Sequence, residues 1–435
     1  MKRLVSLILC VIFTFACVSC NEETPKEEFF KPYYIFLYNS GEMTEDDISA
    51  IDGLSELYRE HDIVVIDVDG LSSSAEVYAR LQEEKNAMLG ELSGVQIFGT
   101  PQAVPSFELK FETEIFPLPG ESEISTYDNF VSDFFYSNLN NDPDKLNELS
   151  AYGIANAPEE FDIFPEWAVV RLPLSSGQFS AFFQKYREYL DLKTETYALS
   201  ISVASPIFPV GWYPVASDDF GYFLMRARDE WGLVNDLRMY GTTEGVCAST
   251  LELDGSCNAR DWAHLTNDNL CEIYHDSHAN KIALLETVFF GKSKSDYHCE
   301  EILYAGTING TLKGKPYFLN TNGCDPAKDM EGSIVNAALR GRCVGAFAST
   351  SLMNNVDVDC MISEEEYAEG YTKFSFYYEY LSAKADGKSR AESFLAGQRQ
   401  ISTSLTEKFA ELHPNSFQSN LNNLLSFHNF GLIDP

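Results

Sequence analysis

Two short segments carry side chains suited to nucleophilic catalysis. The strand-like run Leu270–Tyr274 leads into the segment 275–280, which contains His278, and the strand-like run Pro316–Asn320 leads into Gly323 and Cys324. Ligands of parallel α/β sheets collect beyond the carboxyl ends of the strands, so neighbouring strands would bring imidazole and thiol together there. A nearby imidazole favours the thiolate, which is the reactive form of cysteine. Glycine before the cysteine permits the tight turn that exposes such a thiol.

Other interpretations of the same residues stay open at this point. His275 is an alternative to His278 as the active imidazole, although small residues flank His278 and it lies further beyond the strand. Asp276 fits a turn or capping role better than a place in a triad. Cys324 is also a candidate disulfide partner. A tetrahedral zinc ion is the competing site, although the spacing of its candidate ligands is weak evidence for one. Those ligands would be Cys271, His275, His278, His298 and Cys299.

The hydrophobic pattern predicts an α/β protein in which two units follow one another. Short apolar runs alternate with amphipathic stretches, an order that favours mainly parallel, Rossmann-like sheets flanked by helices. The predicted strands are Tyr33–Tyr38, Ile63–Val68, Val95–Thr100, Trp167–Leu172, Ser200–Ala204, Leu270–Tyr274, Pro316–Asn320 and Val344–Ser349. The predicted helices are Thr44–His61, Ala75–Leu89, Gln178–Leu190, Ser333–Arg340, Phe374–Lys384 and Ser389–Leu412. We expect a supporting unit over 33–195 and a catalytic unit over 196–435.

An ordered set of motifs resembles the gingipain-type cysteine peptidases, which have a caspase-like fold. Histidine precedes cysteine, as it does in that family. The segments that carry the resemblance are Gln96–Pro105, Ser132–Tyr136, Val169–Leu174, Ser333–Leu339, Gly345–Thr350 and Asn429–Pro435. Together they cover most of the chain from Tyr33 to Pro435 in the family's order.

The resemblance implies a cysteine endopeptidase with Cys324 as nucleophile and His278 as general base and acid. It also implies that the backbone N–H groups of Cys324 and Ala279 hold the oxyanion, and that basic residues are preferred at the cleavage point. The family has glycine where this chain has Ser277 and Ala279, and also at Val170. These departures support an alternative, in which an inactive gingipain-fold surface lipoprotein binds a peptide or protein partner.

The N-terminus predicts export. Lys2 and Arg3 precede a short apolar run, which is too short to span a membrane and typical of a signal peptide. The run ends at Ser19 and Cys20, which resemble a bacterial lipobox, so we expect a lipoprotein signal over 1–19, lipidation of Cys20 and an acidic tether over 20–32. An ordinary cleaved signal peptide is the alternative. The lipoprotein interpretation places the protein in the cell envelope, anchored to the outer membrane and facing the periplasm or the exterior.

Export also permits disulfides. Of the ten cysteines, Cys10 and Cys17 leave with the signal and Cys20 takes the lipid, so seven remain, an odd number that predicts at least one thiol. If Cys324 is that thiol, the other six can pair. One of fifteen connectivities joins Cys247 to Cys257, Cys271 to Cys299 and Cys343 to Cys360.

Charge and composition restrict the partners. The 435 residues include 66 acidic and 31 basic side chains, and the formal net charge of −35 argues against nucleic acid, because phosphate binding needs a basic face. We therefore expect no nucleic-acid partner and no contact with a membrane other than through the lipid. The expected partner is a peptide or protein substrate. We expect no catalytic metal and no cofactor, with structural calcium on the acidic loop Asp325–Glu331 as an alternative.

Overall fold

The structure is a computed structural model that describes residues 30–113, 125–146, 149, 151–192, 197–203, 224–225, 227–233, 236–241, 252–255, 258–277, 279–289, 297–351, 373–412 and 414–434. Its strands are β1 Tyr33–Tyr38, β2 Asp62–Asp67, β3 Leu92–Phe98, β4 Phe107–Thr113, β5 Ser125–Ser132, β6 Ala168–Leu172, β7 Tyr197–Val203, β8 Asp236–Gly241, β9 Leu270–Asp276, β10 Ala279–Asn280, β11 Ala283–Phe289, β12 Tyr297–Tyr304, β13 Tyr317–Thr321, β14 Cys343–Ser349 and β15 Phe427–Gly431.

The helices of the described residues surround these strands. They are α1 Glu45–Asp52, α2 Ser74–Ala87, α3 Pro143–Leu146, α4 Ala151–Asn156, α5 Phe179–Leu192, α6 Ala259–Asp268, α7 Ile308–Thr311, α8 Ile334–Arg340, α9 Lys373–Ala385, α10 Arg390–Ser404, α11 Glu407–Leu412 and α12 Pro414–Ser426. Among these helices none is long and apolar enough to cross a bilayer.

One ten-stranded sheet runs through the molecule, in the order β2-β1-β3-β6-β15-β14-β13-β9-β7-β8. In the first half of the chain, β1, β2, β3 and β6 pair in parallel, and in the second half β7, β8, β9, β13 and β14 do so. The last strand, β15, runs antiparallel to β14. A three-stranded sheet, β10-β11-β12, and the hairpin β4-β5 lie outside it. The predicted α/β class with a mainly parallel sheet is confirmed, although strands of both predicted units form a single sheet. The expected boundary at residue 195 lies outside the described residues and stays a prediction.

Two cores lie on opposite faces of this sheet because successive side chains of a strand point to opposite sides. In β1, Ile35 and Leu37 join one buried cluster, and Phe36 joins the other. Helix α2 packs on the first cluster through residues such as Leu81, and helix α5 packs on the second through residues such as Phe183. The sheet is therefore covered on both faces, which explains why its strands read as continuous apolar runs.

Two predicted helices end earlier than their patterns suggested. The first α-helix begins at the N-cap Thr44 and ends at Asp52, where a 3₁₀ turn over Gly53–Leu57 replaces it. The stretch 389–412 divides into α10 and α11, and α10 begins with a capping box on Ser389. The sequence patterns missed the hairpin β4-β5, whose second strand lies in the less regular, Asn-, Asp- and Pro-rich stretch 121–160.

Candidate active site

The strands that lead to the two candidate catalytic segments are neighbours. Strand β9 pairs in parallel with β13, so that Thr321 lies opposite His275. Beyond the last paired residues, the Asn322 N–H donates to the carbonyl oxygen of His275 at 2.9 Å. The segments that follow β9 and β13 therefore leave the sheet side by side at the same edge, as the predicted pairing requires. His278 lies outside the described residues, but its neighbours Ser277 and Ala279 are described.

The turn before Cys324 is packed directly against the segment that carries His278. A Cβ added to Gly323 would lie 2.9 Å from the carbonyl oxygen of Ser277 and 3.0 Å from the backbone nitrogen of Ala279, and it would overlap Ala279 Cβ. Only glycine fits such a close approach of two backbones. Cys324 thus follows a residue that contacts both neighbours of His278.

Ala279 adopts ordinary extended backbone. It begins β10 and pairs with Leu284 of β11, and it is not among the described non-glycine residues with positive φ. Alanine in place of the family's glycine therefore carries no backbone strain at this position. Its Cβ does occupy space against Gly323, where a glycine would leave a gap.

Cys324 is a half-buried thiol that packs against one of the two apolar cores. Cys271 and Cys343 are both buried free thiols, so the connectivity that joins them to Cys299 and Cys360, one of the fifteen possible, is not seen here. Both lie on strands that flank Tyr317 of β13, deep in the main sheet, while Cys299 belongs to the separate sheet of β12. Cys20, Cys247, Cys257 and Cys360 lie outside the described residues.

Burial makes Cys271 and Cys343 poor nucleophiles. It raises the pKa of the Cys343 thiol to about 11 and raises the pKa of the Cys271 thiol as well. The Cys343 thiol donates a hydrogen bond to the carbonyl oxygen of Gly345 at 3.0 Å. Of the three cysteines whose side chains are described, Cys324 alone is partly exposed, which leaves it as the reactive candidate among them.

His275 is a structural histidine. Its ring is buried, with Nδ1 at 2.9 Å from Thr321 Oγ1 and Nε2 at 2.9 Å from the carbonyl oxygen of Leu285. Both ring nitrogens of His275 already have hydrogen-bond partners, so neither is directed at Cys324. Asp276 is buried as well and accepts a hydrogen bond from Asn322 Nδ2 at 3.2 Å, in keeping with a turn-stabilising role.

The loop after Cys324 has an unusual backbone. Asp325, Asp329 and Met330 all have φ near +55°, a region that non-glycine residues rarely adopt. Hydrogen bonds hold the loop to the end of β14, since the Ala327 N–H donates to the carbonyl oxygen of Ser349 and the Asp325 N–H to that of Ser351, each at 3.0 Å. Burial, followed by the charge of Asp329, raises the pKa of Asp325 to about 6. The residue that follows the candidate nucleophile therefore carries an easily protonated carboxyl group.

No group of three or more His, Cys, Asp or Glu side chains within the described ranges is arranged to hold a metal ion. In the acidic loop Asp325–Glu331, where structural calcium is an alternative that stays a prediction, Asp329 forms an ion pair with Lys281, at 3.0 Å between Nζ and Oδ2. Of the candidate zinc ligands, Cys271 is a buried thiol in β9, His275 is hydrogen-bonded to Thr321 and Leu285, and His278 lies outside the described part of the chain.

A cleft of about 1000 Å³ opens beside this loop. One wall comes from the first half of the chain and includes Ser73, Gln102 and Glu108. The other wall comes from the second half and includes Lys281 and Glu331, which follow the two candidate catalytic segments. The cleft therefore lies between loops of both halves, its wall in the second half includes Asp329 and Glu331 of the loop that follows Cys324, and its walls are polar.

Sequence reasoning missed a buried ion pair that is hydrogen-bonded to Ser106, a residue of the cleft wall. Arg171 donates from Nε and Nη2 to both carboxylate oxygens of Asp133, at 2.6 and 2.7 Å, and Ser106 Oγ donates to the same carboxylate at 2.7 Å. Although burial alone would raise it, the Arg171 charge holds the pKa of Asp133 well below its usual range. Both residues lie in segments that resemble gingipain motifs, Ser132–Tyr136 and Val169–Leu174. The opposite charges of these two segments could have predicted the ion pair.

Solved structures of proteases have a fold similar to that of this chain. The chain is similar to the crystal structure of the Arg-specific cysteine proteinase gingipain R (RgpB), with a TM-score of 0.58, 12% identity and coverage of 94% of this chain and 79% of that chain. It is similar to the complex of Porphyromonas gingivalis RgpB pro- and mature domains, with a TM-score of 0.56, 11% identity and coverage of 92% and 79%. A structure described only as a protease gives a TM-score of 0.60, 11% identity and coverage of 94% and 79%.

Sequence comparison adds nothing to this likeness, since no protein-family model and no curated protein matches the chain. At such low identity the structural likeness is evidence for the fold alone. The protein has the mixed α/β, caspase-like fold seen in gingipain structures.

Proposed function

We propose that this protein is a cysteine endopeptidase that hydrolyses peptide bonds through Cys324 and His278. The observation that carries the proposal is the close packing of the Gly323–Cys324 turn against Ser277 and Ala279, at the ends of adjacent parallel strands. The likeness of the fold to gingipain structures supports the same interpretation. A half-buried thiol at this edge is accessible, unlike the sealed thiols of Cys271 and Cys343.

In the proposed reaction the Cys324 thiolate attacks the peptide carbonyl carbon. The N–H groups of Cys324 and Ala279 stabilise the oxyanion, a contribution that is typically a few kcal/mol. The C–N bond breaks as His278 gives a proton to the leaving amine, and a thioester remains. Water, deprotonated by His278, then releases the acid and restores the thiolate. The reaction needs no cofactor and no metal.

The proposed substrate is a peptide that lies in the cleft of about 1000 Å³. Glu108 and Glu331 in its walls are compatible with basic residues near the cleavage point, the preference expected from the family resemblance. We also propose that lipid on Cys20, which lies outside the described residues, anchors the protein in the cell envelope. Mass spectrometry of the detergent-extracted N-terminal peptide tests this, and an unmodified Cys20 would exclude the anchor.

The test uses residues 21–435 and a diverse peptide mixture under mild reduction, with cleavage sites mapped by mass spectrometry. We expect cleavage by the parent and by Cys343→Ala, a matched cysteine substitution away from the site. Cys324→Ala and His278→Ala are expected to lose it. Cleavage that persists in Cys324→Ala excludes the proposed nucleophile.

A peptide-binding protein without activity is the second candidate. The observation in its favour is the Ala279 methyl group, which fills space against Gly323 where the family has glycine. If neither the parent nor a proteolytically treated sample cleaves any peptide, while peptides are retained on the immobilised protein, this second function is the correct one.

A further inference from the structure

A chain of hydrogen bonds joins the turn before Cys324 to a buried histidine. The Gly323 N–H donates to Thr321 Oγ1 at 3.1 Å, which closes a turn around the side chain of Thr321. Thr321 Oγ1 is also 2.9 Å from His275 Nδ1, and His275 Nε2 is 2.9 Å from the carbonyl oxygen of Leu285. Thr321 and His275 are both fully buried.

The chemistry of the partners fixes the direction of each hydrogen bond. The Leu285 carbonyl oxygen can only accept, so His275 carries its proton on Nε2, and in the neutral ring Nδ1 is an acceptor. The Thr321 hydroxyl therefore donates to Nδ1 while it accepts from the Gly323 N–H. Each group in this chain donates in the same direction, an arrangement in which successive hydrogen bonds polarise one another.

The chain links three elements that surround the candidate site. His275 ends β9, Thr321 ends β13, and Leu285 belongs to β11, which pairs with the short strand β10 that begins at Ala279. One imidazole thus contacts the turn of the candidate nucleophile and the hairpin that carries the proposed oxyanion donor. The turn and the hairpin each contain one of the proposed reacting or oxyanion-binding residues.

We propose that His275 and Thr321 are positioning residues, which hold the Gly323–Cys324 turn in register with the Ala279 strand. This inference rests on the proposed function, since it takes Cys324 as the nucleophile. A buried histidine in this role acts through Thr321 and touches no substrate. Loss of the Thr321 hydroxyl leaves the Gly323 N–H and His275 Nδ1 without these partners, so the turn is free to shift.

The test compares Thr321→Val, which has a similar shape and no hydroxyl, with Thr321→Ser, which keeps the hydroxyl. Thr266→Val is the matched control, because Thr266 is equally buried and donates to the carbonyl oxygen of Ala263 in helix α6, away from the turn. Two quantities are measured for each protein. They are kcat and KM on a cleaved peptide, and the rate at which iodoacetamide alkylates Cys324, read by peptide mass spectrometry.

We expect Thr321→Val to lower kcat by about tenfold or more with little change in KM, because small displacements of reacting groups are costly. We expect it to slow alkylation of Cys324 by about fivefold, because the thiol leaves the environment that favours the thiolate. Thr321→Ser should restore both values, and Thr266→Val should leave both unchanged. The proposal is wrong if Thr321→Val matches the parent, if Thr266→Val has the same effects, or if Thr321→Ser fails to restore them.

A second variant tests the histidine itself. His275→Phe removes both ring nitrogens, and we expect its effects on kcat and alkylation to match those of Thr321→Val. In the double variant the effects should not add, because both substitutions break the same chain. Full additivity would show that the two residues act separately.

The two proposals fail in distinguishable ways. If the parent cleaves no peptide but alkylation of Cys324 responds to Thr321→Val and is restored by serine, the peptidase proposal is wrong and the positioning role stands. If the parent cleaves peptides and Thr321→Val behaves as the parent does, the peptidase stands and the positioning role is wrong.

Discussion

At the scale of single residues, Asp325 combines two costs beside the candidate nucleophile. Its φ of +57° lies in the left-handed region, and burial raises its pKa to about 6. Asparagine tolerates that backbone region as well as aspartate does, and it carries no charge. Asparagine at position 325 would therefore remove the buried charge and keep the backbone conformation.

We predict that Asp325→Asn stabilises the protein at pH 7.5 and loses this advantage near pH 4. A raised pKa in the folded state means that the parent is most favoured below the unfolded value near 4 and loses stability as pH rises through 6. One pKa unit is roughly 1.4 kcal/mol, so the full shift corresponds to about 3 kcal/mol. Because the Asp325 side chain is partly exposed and water screens its charge, we expect a gain of about 1 to 2 kcal/mol at pH 7.5. Urea denaturation at both pH values measures it.

The exposed Asp386→Asn substitution is the control for that experiment, and it should change the free energy of unfolding little at either pH. An advantage of Asp325→Asn that is the same at pH 4 and pH 7.5 would mean that ionisation of Asp325 does not destabilise the folded protein.

At the scale of elements, the ion pair of Arg171 and Asp133 joins β6 to the end of β5. Further hydrogen bonds from Arg171 Nη1 reach the carbonyl oxygens of Gly99 and Val104, at 2.9 and 3.1 Å, in the loop after β3. His428 of β15 lies 3.6 Å from the same carboxylate. This cluster therefore fixes the loops of the first half at the edge where they border the cleft.

We predict that Asp133→Asn lowers the free energy of unfolding by about 3 to 5 kcal/mol, the usual result of leaving one buried charge without its partner. The double variant with Arg171→Met should lose less than the sum of the two single variants. Breaking the exposed pair of Arg80 and Glu83 with Arg80→Met is the control and should cost less than about 1 kcal/mol. A similar small loss in Asp133→Asn would contradict the prediction.

At the scale of the whole molecule, the last strand joins the two halves. Strand β15 lies between β6 and β14, and the residues after it bind the first half, where the Tyr58 hydroxyl donates to the Ile433 carbonyl oxygen at 2.6 Å. Lys185 of α5 crosses in the other direction and donates to the carbonyl oxygens of Leu339 and Gly341, at 2.6 and 2.8 Å. Both halves therefore depend on contacts with each other.

We predict that the two halves unfold together. In native-state hydrogen exchange with increasing urea, amides of β3 and of β13 should merge into one opening reaction with the same urea dependence, since strands of one sheet share a cooperative unit. Exchange is read by mass spectrometry of peptides that cover 92–98 and 317–321. A separate opening of β3 at lower urea would show that the first half unfolds as a cooperative unit of its own.

The local elements and the position of the candidate nucleophile along the chain were predictable from the sequence. The alternation of apolar runs and amphipathic stretches depends on neighbouring residues only, so the strands around Tyr33, Leu270 and Tyr317 were predictable within a few residues. Gly323 and Cys324 at the end of one such strand were predictable for the same reason. The α/β class followed from the order of these elements.

Tertiary structure alone decided which distant groups meet. The engagement of His275 by Thr321, the pairing of Arg171 with Asp133 and the reduced state of Cys271 each depend on strands that are far apart in sequence. The insertion of β15 into the sheet depends on partners in both halves. A repeating pattern records which face of an element is buried, but not the side chain that it will meet there, because that partner is chosen by packing across the whole molecule.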